Sequence, residues 1–331
     1  MLNIDMPKGK RFVDAAIAAM VMTLLIKRIG VQALAEGYFP SANNIDDNEL
    51  DMLLKYAALI TPMLEYTSTN GYRLAGELQD KHSLFNLEKF LGAYGPVLAA
   101  AIIDDCIPAP NTIDDARLAS AFSLLAEGRL TWLANALADL PTQDVLEIGC
   151  GSAPVLRELA KRSAVCSGWA VDSSENMVKL ARHMVRCQGL ENQISVHQCS
   201  IDDVLSGLHK SILSAKVVVL RGVLNSFCSP TPHAMIPVLQ ELASRFPNSY
   251  IVVSDYYSCL ETSSDPDFLP SMTQDIVQLL SGQGIPPSDE SLWDSLYREA
   301  GLLLCKRVIN STVPGIRQFV DILKTSPVIH S

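Results

Sequence analysis

Between residues 143 and 254 the chain alternates short β-branched runs with helical patterns, and this alternation limits the fold more than any other feature. The runs fall at 145–148, 168–171, 194–197, 216–220 and 250–254, and helical spacing fills 155–162, 174–187 and 235–245. A strand separated from the next by a helix returns to pair in parallel, so the pattern predicts βαβ units. A further helix at 291–300 and two β-like runs, 302–309 and 315–323, predict an antiparallel hairpin closing the sheet. The expected fold is α/β, with seven strands in a mostly parallel sheet.

The first part of the chain reads differently. Residues 10–60 are helical, with Leu50, Leu53, Leu54, Ala57, Ala58 and Met63 at helical spacing. Asn70-Gly71, flanked by β-formers, predicts a small hairpin over 63–74. Helices followed by a hairpin suggest a winged-helix-like module, which binds DNA in some proteins and makes dimers in others. Another apolar helix covers 84–104, with Pro96 kinking or restarting it, and a linker follows at 107–111. A long helix is expected over 114–140. At about 150 residues per domain, 331 residues predict two domains. They are a mainly α-helical, winged-helix-like dimerisation or lid domain over 1–110 and a catalytic domain over 111–331.

Composition removes several function classes. Lys and Arg number 26 against 36 Asp and Glu, a net charge of −10. Nucleic-acid binding needs a basic face, and residues 40–80 hold only Lys55 and Arg73, so the dimer role is favoured and no nucleic-acid partner is expected. The longest apolar stretch, 12–26, has 15 residues and contains Asp14. A membrane span needs about 20, so the stretch reads as a buried helix and no membrane partner is expected. The eight cysteines are scattered without a C-x-x-C pair, which argues against a zinc site and for reduced thiols in the cytoplasm. No metal is expected.

The chemistry is concentrated in the segment 144–160, DVLEIGCGSAPVLRELA. A buried strand enters a glycine turn, and the turn enters a helix, so the backbone can approach a ligand and the helix N-terminus offers free N–H groups. A dinucleotide site would need a third glycine at 154, which is Pro154. The acid Glu147, two residues before Gly149, belongs to another pattern. Glu147, Gly149 and Gly151 resemble the first motif of the class I S-adenosylmethionine-dependent methyltransferases, with Ala153 where that family often has a further glycine. The segment 169–182 resembles the second landmark: Asp172 ends a strand, and Ser173 and Met177 follow as in the family's D-x-S-x-x-M run. Third comes 196–204, VHQCSIDDV, and fourth 217–227, VVVLRGVLNSF.

The resemblance covers about 140–325 and implies a Rossmann-like sheet, S-adenosylmethionine as cofactor and an enzyme of the transferase class. It implies that Gly149 and Gly151 lie against the methionine part of the cofactor and that Glu147 orients it. Asp172 would accept both ribose hydroxyls, with Ser173 beside it, and Asp172 also suits a helix N-cap. Met177 would touch adenine, and Asp202, beside Ile201, would meet the adenine amino group. Arg221 suits either the cofactor's carboxylate or that of an acceptor. Cys150 needs no nucleophilic role, because methyl transfer uses none. The acceptor cleft lies beyond the carboxyl ends of the strands. Asn225, Asp255, Tyr256 and Tyr257 are expected to line it, with Tyr94 as a lid residue. Asp255 reads equally as a helix cap or solvated charge. His233 is a candidate base or a loop histidine, and Gln283 a substrate contact or part of a plain turn. Tyr94, Asn225, His233 and Tyr257 form the catalytic set.

The implied activity is methyl transfer to an O-, N- or S-acceptor on a small metabolite, in secondary metabolism. The alternative on the same fold consumes S-adenosylmethionine as its own substrate, closing its aminobutyrate moiety into an azetidine ring. The apolar excess of the first 60 residues predicts a homodimer through residues 1 to about 110. Light scattering at micromolar concentration is expected to give twice the 36.0 kDa chain mass; a mass near one chain would refute it.

Overall fold

The computed structural model describes residues 64–67, 71–74, 130–162, 167–207, 210–258, 275, 278, 284–310 and 317–325. The predicted helices before 114, the lid residue Tyr94 and Gln283 lie outside these residues. The first hairpin is present: β1 (Leu64–Thr67) and β2 (Gly71–Leu74) pair antiparallel, with Thr67 opposite Gly71. The helix expected over 114–140 is described from its end, α1 (Leu130–Ala136), and stops four residues earlier than its apolar spacing suggests.

The rest is one sheet with helices on both faces. In chain order its elements are β3 (Asp144–Ile148), α2 (Pro154–Lys161), β4 (Ser167–Asp172), α3 (Glu175–Cys187), β5 (Ile194–Gln198) and α4 (Ile201–Leu205). There follow β6 (Val217–Arg221), α5 (Ile236–Arg245), β7 (Tyr250–Tyr256), α6 (Glu290–Glu299), β8 (Leu302–Asn310) and β9 (Gln318–Thr325). The strand order is β5-β4-β3-β6-β7-β9-β8. Among these strands only β9 runs against the others, since β7–β9 and β9–β8 are antiparallel and the remaining pairs parallel. The mostly parallel sheet closed by an antiparallel hairpin is thus the observed one.

The central strands are apolar along their length because helices cover both sides. Val217, Val218, Val219 and Leu220 of β6 are fully buried, and burying such a side chain stabilises by about 1.5–3 kcal/mol. Alternate residues divide between two cores. Val145, Val217, Val219 and Val252 pack with Leu133 of α1, Val155 and Leu159 of α2 and Val185 of α3. Leu146, Val218, Leu220 and Val253 pack with Val204 of α4, Leu239 and Leu242 of α5 and Trp293 of α6.

The closing hairpin is held by a buried ion pair. Arg307 on β8 stands opposite Asp321 on β9. Its guanidinium donates to both carboxylate oxygens at 2.7 Å and to Asp294 at 2.8 Å. Asp321 is fully buried, and burial pushes its carboxyl up against the pull of Arg307. Removing one partner from a buried pair costs about 3–5 kcal/mol. Arg307→Met is therefore expected to lower the urea midpoint strongly at neutral pH. The loss should shrink as the pH falls and Asp321 takes up a proton. An unchanged midpoint would show that the pair does not hold the hairpin.

Candidate active site

The carboxyl ends of β3, β4, β5, β6 and β7 share one edge of the sheet, because these strands are parallel neighbours. The loops leaving them build the site. Between β3 and α2 the backbone turns through three left-handed residues, Gly149 (φ 61°), Gly151 (φ 53°) and Ala153 (φ 54°). The two glycines serve different needs. A Cβ on Gly149 would stand 2.5 Å from Val223 Cγ2, so this glycine lets the turn touch the loop after β6. A Cβ on Gly151 would meet nothing within 4 Å, so that side is open to a ligand. Ala153, where the related motif often has glycine, takes the left-handed conformation anyway, which costs a residue with a Cβ roughly 1–2 kcal/mol.

Two carboxylates hold this turn in place. Glu147, 2% exposed, accepts N–H groups of the first turn of α2: Val155 at 3.3 Å on Oε1 and Leu156 at 3.0 Å on Oε2. Burial raises its pKa to about 7, against the pull of those N–H groups and of Arg221 and Arg157. The side chain expected to orient the cofactor therefore acts through the helix, with both oxygens engaged there. Asp172 accepts Gly151 N–H at 2.9 Å on Oδ2 and Ser174 N–H at 2.9 Å on Oδ1. It ties the turn to the end of β4, while the N-cap of α3 is Ser174, which accepts Met177 N–H at 3.3 Å.

These residues fit S-adenosylmethionine. A carboxylate oxygen can accept more than one hydrogen bond, so Asp172 suits a vicinal diol such as that of ribose, and the open face of Gly151 adjoins it. Ser173 is exposed beside Asp172, and Met177 is buried in the first turn of α3. In the first turn of α4, Asp202 is exposed and Ile201 half-buried. The neighbouring Asp203 is engaged in a capping box with Ser200. Cys150 is buried, and burial followed by the charges of Glu147 and Asp172 pushes its thiol pKa well up.

Beyond the turn lies a second polar group. Arg221 ends β6 half-buried, and its charge acts on both Glu147 and Asp255. Asn225, two residues past the Val223 that touches Gly149, is buried on a 3₁₀ turn (Leu224–Phe227), and its Oδ1 has no hydrogen-bond partner. Asp255, near the end of β7, is 6% exposed; its Oδ1 accepts its neighbour Tyr256 N–H at 2.9 Å and its Oδ2 has no partner. Burial raises this carboxyl to about 7 against the N–H groups of Tyr256 and Asn225 and the charge of Arg221. Asp255 is thus neither a helix cap nor a solvated charge.

The other catalytic candidates sit in different environments, one buried and one exposed. Tyr257 is buried in the α5–α6 core, its ring 4.7 Å from that of Phe319 and its hydroxyl unpartnered. His233 is exposed on a 3₁₀ turn (Pro232–Met235) before α5. No group of three or more His, Cys, Asp or Glu able to hold a metal occurs among the described residues. No described helix is long and apolar enough to cross a membrane.

A glycine turn at the carboxyl edge of a seven-stranded sheet in this order, backed by an acid at the end of β4, defines the class I, Rossmann-like S-adenosylmethionine-dependent architecture. Residues 141–300 match the family model described as a methyltransferase domain. Residues 141–300 are thus a methyltransferase domain of the class I S-adenosylmethionine-dependent type, a transferase domain with S-adenosylmethionine as cofactor. Among solved structures, the mitomycin 7-O-methyltransferase MmcR aligns over 95% of this chain and 96% of its own, at 13% identity and a TM-score of 0.62. A putative O-methyltransferase from Nostoc punctiforme PCC 73102 aligns over 94% and 96%, at 15% identity and a TM-score of 0.60. The O-methyltransferase NcsB1 of neocarzinostatin biosynthesis, in complex with S-adenosylmethionine and 2-hydroxy-5-methyl naphthoic acid, aligns over 95% of each chain, at 15% identity and a TM-score of 0.59. At these identities the likeness is one of fold. No curated protein matches by sequence.

Asp172→Ala releases Gly151 and removes the carboxylate expected to accept the ribose hydroxyls. Charge-assisted hydrogen bonds contribute about 1.5–3 kcal/mol each, so calorimetry should show S-adenosylhomocysteine affinity falling at least tenfold. Unchanged affinity would place the ribose elsewhere.

Proposed function

We propose that this enzyme methylates a hydroxyl group of a small metabolite in secondary metabolism, in the cytoplasm and as a homodimer built through residues 1–110. The observation that carries the reading is the turn from Gly149 to Ala153, held by Glu147 and Asp172, within a matched methyltransferase domain. Oxygen is favoured as acceptor because three structural neighbours are described as O-methyltransferases, one of them holding a hydroxynaphthoic acid. The net charge of −10 fits a small-molecule acceptor better than a polynucleotide.

S-adenosylmethionine supplies an activated methyl group on a cationic sulfur. The chain's part is to position the acceptor, exclude water and receive a proton. Gly149, Gly151 and Asp172 hold the cofactor, with Ser173, Met177, Ile201 and Asp202 towards its adenosine and Arg221 towards its carboxylate. Asn225 is the positioning group at the acceptor, since its residue adjoins the loop against Gly149. His233, on its exposed turn, takes the acceptor's proton.

Incubation with methyl-labelled S-adenosylmethionine and a metabolite extract, read by mass spectrometry, is expected to give S-adenosylhomocysteine and a labelled product. Methylthioadenosine without label transfer would favour cyclisation of the cofactor instead. With the acceptor in hand, His233→Ala should lower turnover by roughly 10²–10⁴-fold and leave cofactor affinity intact. A fall under about tenfold would leave positioning and desolvation as the whole of catalysis.

A further inference from the structure

Asp255 and Asn225 are buried polar residues with an unpartnered oxygen each, and they are neighbours. A buried carbonyl oxygen and a buried carboxylate oxygen without donors are costly to leave unmade, so such a pair asks for a ligand that donates or carries positive charge. A continuous set of contacts leads from them to the cofactor turn. Gly149 lies against Val223, Val223 precedes Asn225 by two residues, and Asn225 N–H acts on the Asp255 carboxyl. Arg221 spans the same region, acting on Glu147 at one side and Asp255 at the other. Glu147 has both oxygens engaged by α2, which leaves Asp255 Oδ2 as the buried carboxylate oxygen still to be matched.

We infer that Asp255, assisted by Asn225, is a subsite for the positive charge at the methyl-donor centre, so that the site holds the cationic form of the cofactor more tightly than its neutral product. The inference rests on the cofactor reading above. It gives the pair a role in turnover: once the sulfur becomes neutral the attraction is lost, and S-adenosylhomocysteine leaves more readily than S-adenosylmethionine would. It also makes donor binding pH-dependent. The Asp255 carboxyl lies near pH 7 without a ligand, so affinity for a cation should rise with pH through that region as the carboxyl ionises. Glu147, Arg221, Cys228 and Tyr297 face the same region; Glu147 titrates in the same range but is turned to α2, Arg221 stays charged, and burial pushes the Cys228 thiol and the Tyr297 hydroxyl up, so both stay neutral.

The test compares two ligands by calorimetry on the full chain. Sinefungin carries an amine where S-adenosylmethionine carries its sulfonium, and S-adenosylhomocysteine is neutral at that position. Asp255→Asn is expected to weaken sinefungin roughly tenfold to hundredfold, the loss of one charge-assisted contact, and to change S-adenosylhomocysteine by less than about threefold. In the unmodified enzyme, sinefungin affinity should rise between about pH 6 and 8 while that of S-adenosylhomocysteine stays flat, and the variant should abolish the difference. The substitution removes a buried carboxyl without adding bulk, and retained S-adenosylhomocysteine binding reports a folded site. Equal effects on the two ligands would overturn the inference. Failure of the unmodified enzyme to bind S-adenosylhomocysteine would overturn the cofactor reading itself, which is a separate result.

Discussion

The site depends on two carboxylates that accept backbone N–H groups around one glycine turn. Glu147 holds the first turn of α2, and Asp172 holds Gly151 to the end of β4. Without them a loop with three left-handed residues would lose its fixed shape, because Gly149 and Gly151 favour no single conformation of their own. Anchoring it to two neighbouring parallel strands turns a flexible sequence into a preformed cradle. Glu147 is held at the expense of solvation, which is why burial raises its pKa even while two N–H groups lower it.

The second organising group is Arg221, at the point where β6 ends between β3 and β7. Its charge reaches Glu147 on one side and Asp255 on the other. A buried carboxyl with an unpartnered oxygen stands there, raised by burial against two N–H groups and the charge of Arg221. On the far edge, Arg307 and Asp321 show the opposite arrangement, a pair with matched geometry that pins the closing hairpin and leaves little for a ligand to do. The contrast separates a structural ion pair from a site prepared to receive charge.

Much of the sheet domain was legible in the sequence. A parallel strand covered on both faces must be apolar throughout, and VVVL at 217–220 could hardly be anything else. Most bounds moved by a residue or two, as at β7, which continues through Asp255 and Tyr256 because β9 pairs with it along its whole length, while β9 begins three residues later than expected and α1 ends four earlier. Glu147, Gly149, Gly151 and Asp172 were legible because turn, acid and spacing form one local pattern. Asp203 caps α4 through a box with Ser200, which engages its carboxylate with the helix N-terminus and leaves the exposed Asp202 outside that box.

The sequence alone determined the alternation of strand and helix, the glycine turn and the order of the motifs, because these depend on local periodicity and on residues with special backbone freedom. The tertiary structure decided where side chains from distant segments meet. It turned Glu147 towards α2, set Val223 against Gly149, packed Tyr257 on Phe319 and left Asp255 and Asn225 buried with open oxygens. Those outcomes depend on strand order and on which face of the sheet each residue takes, and a contact across three strands has no signature along the chain.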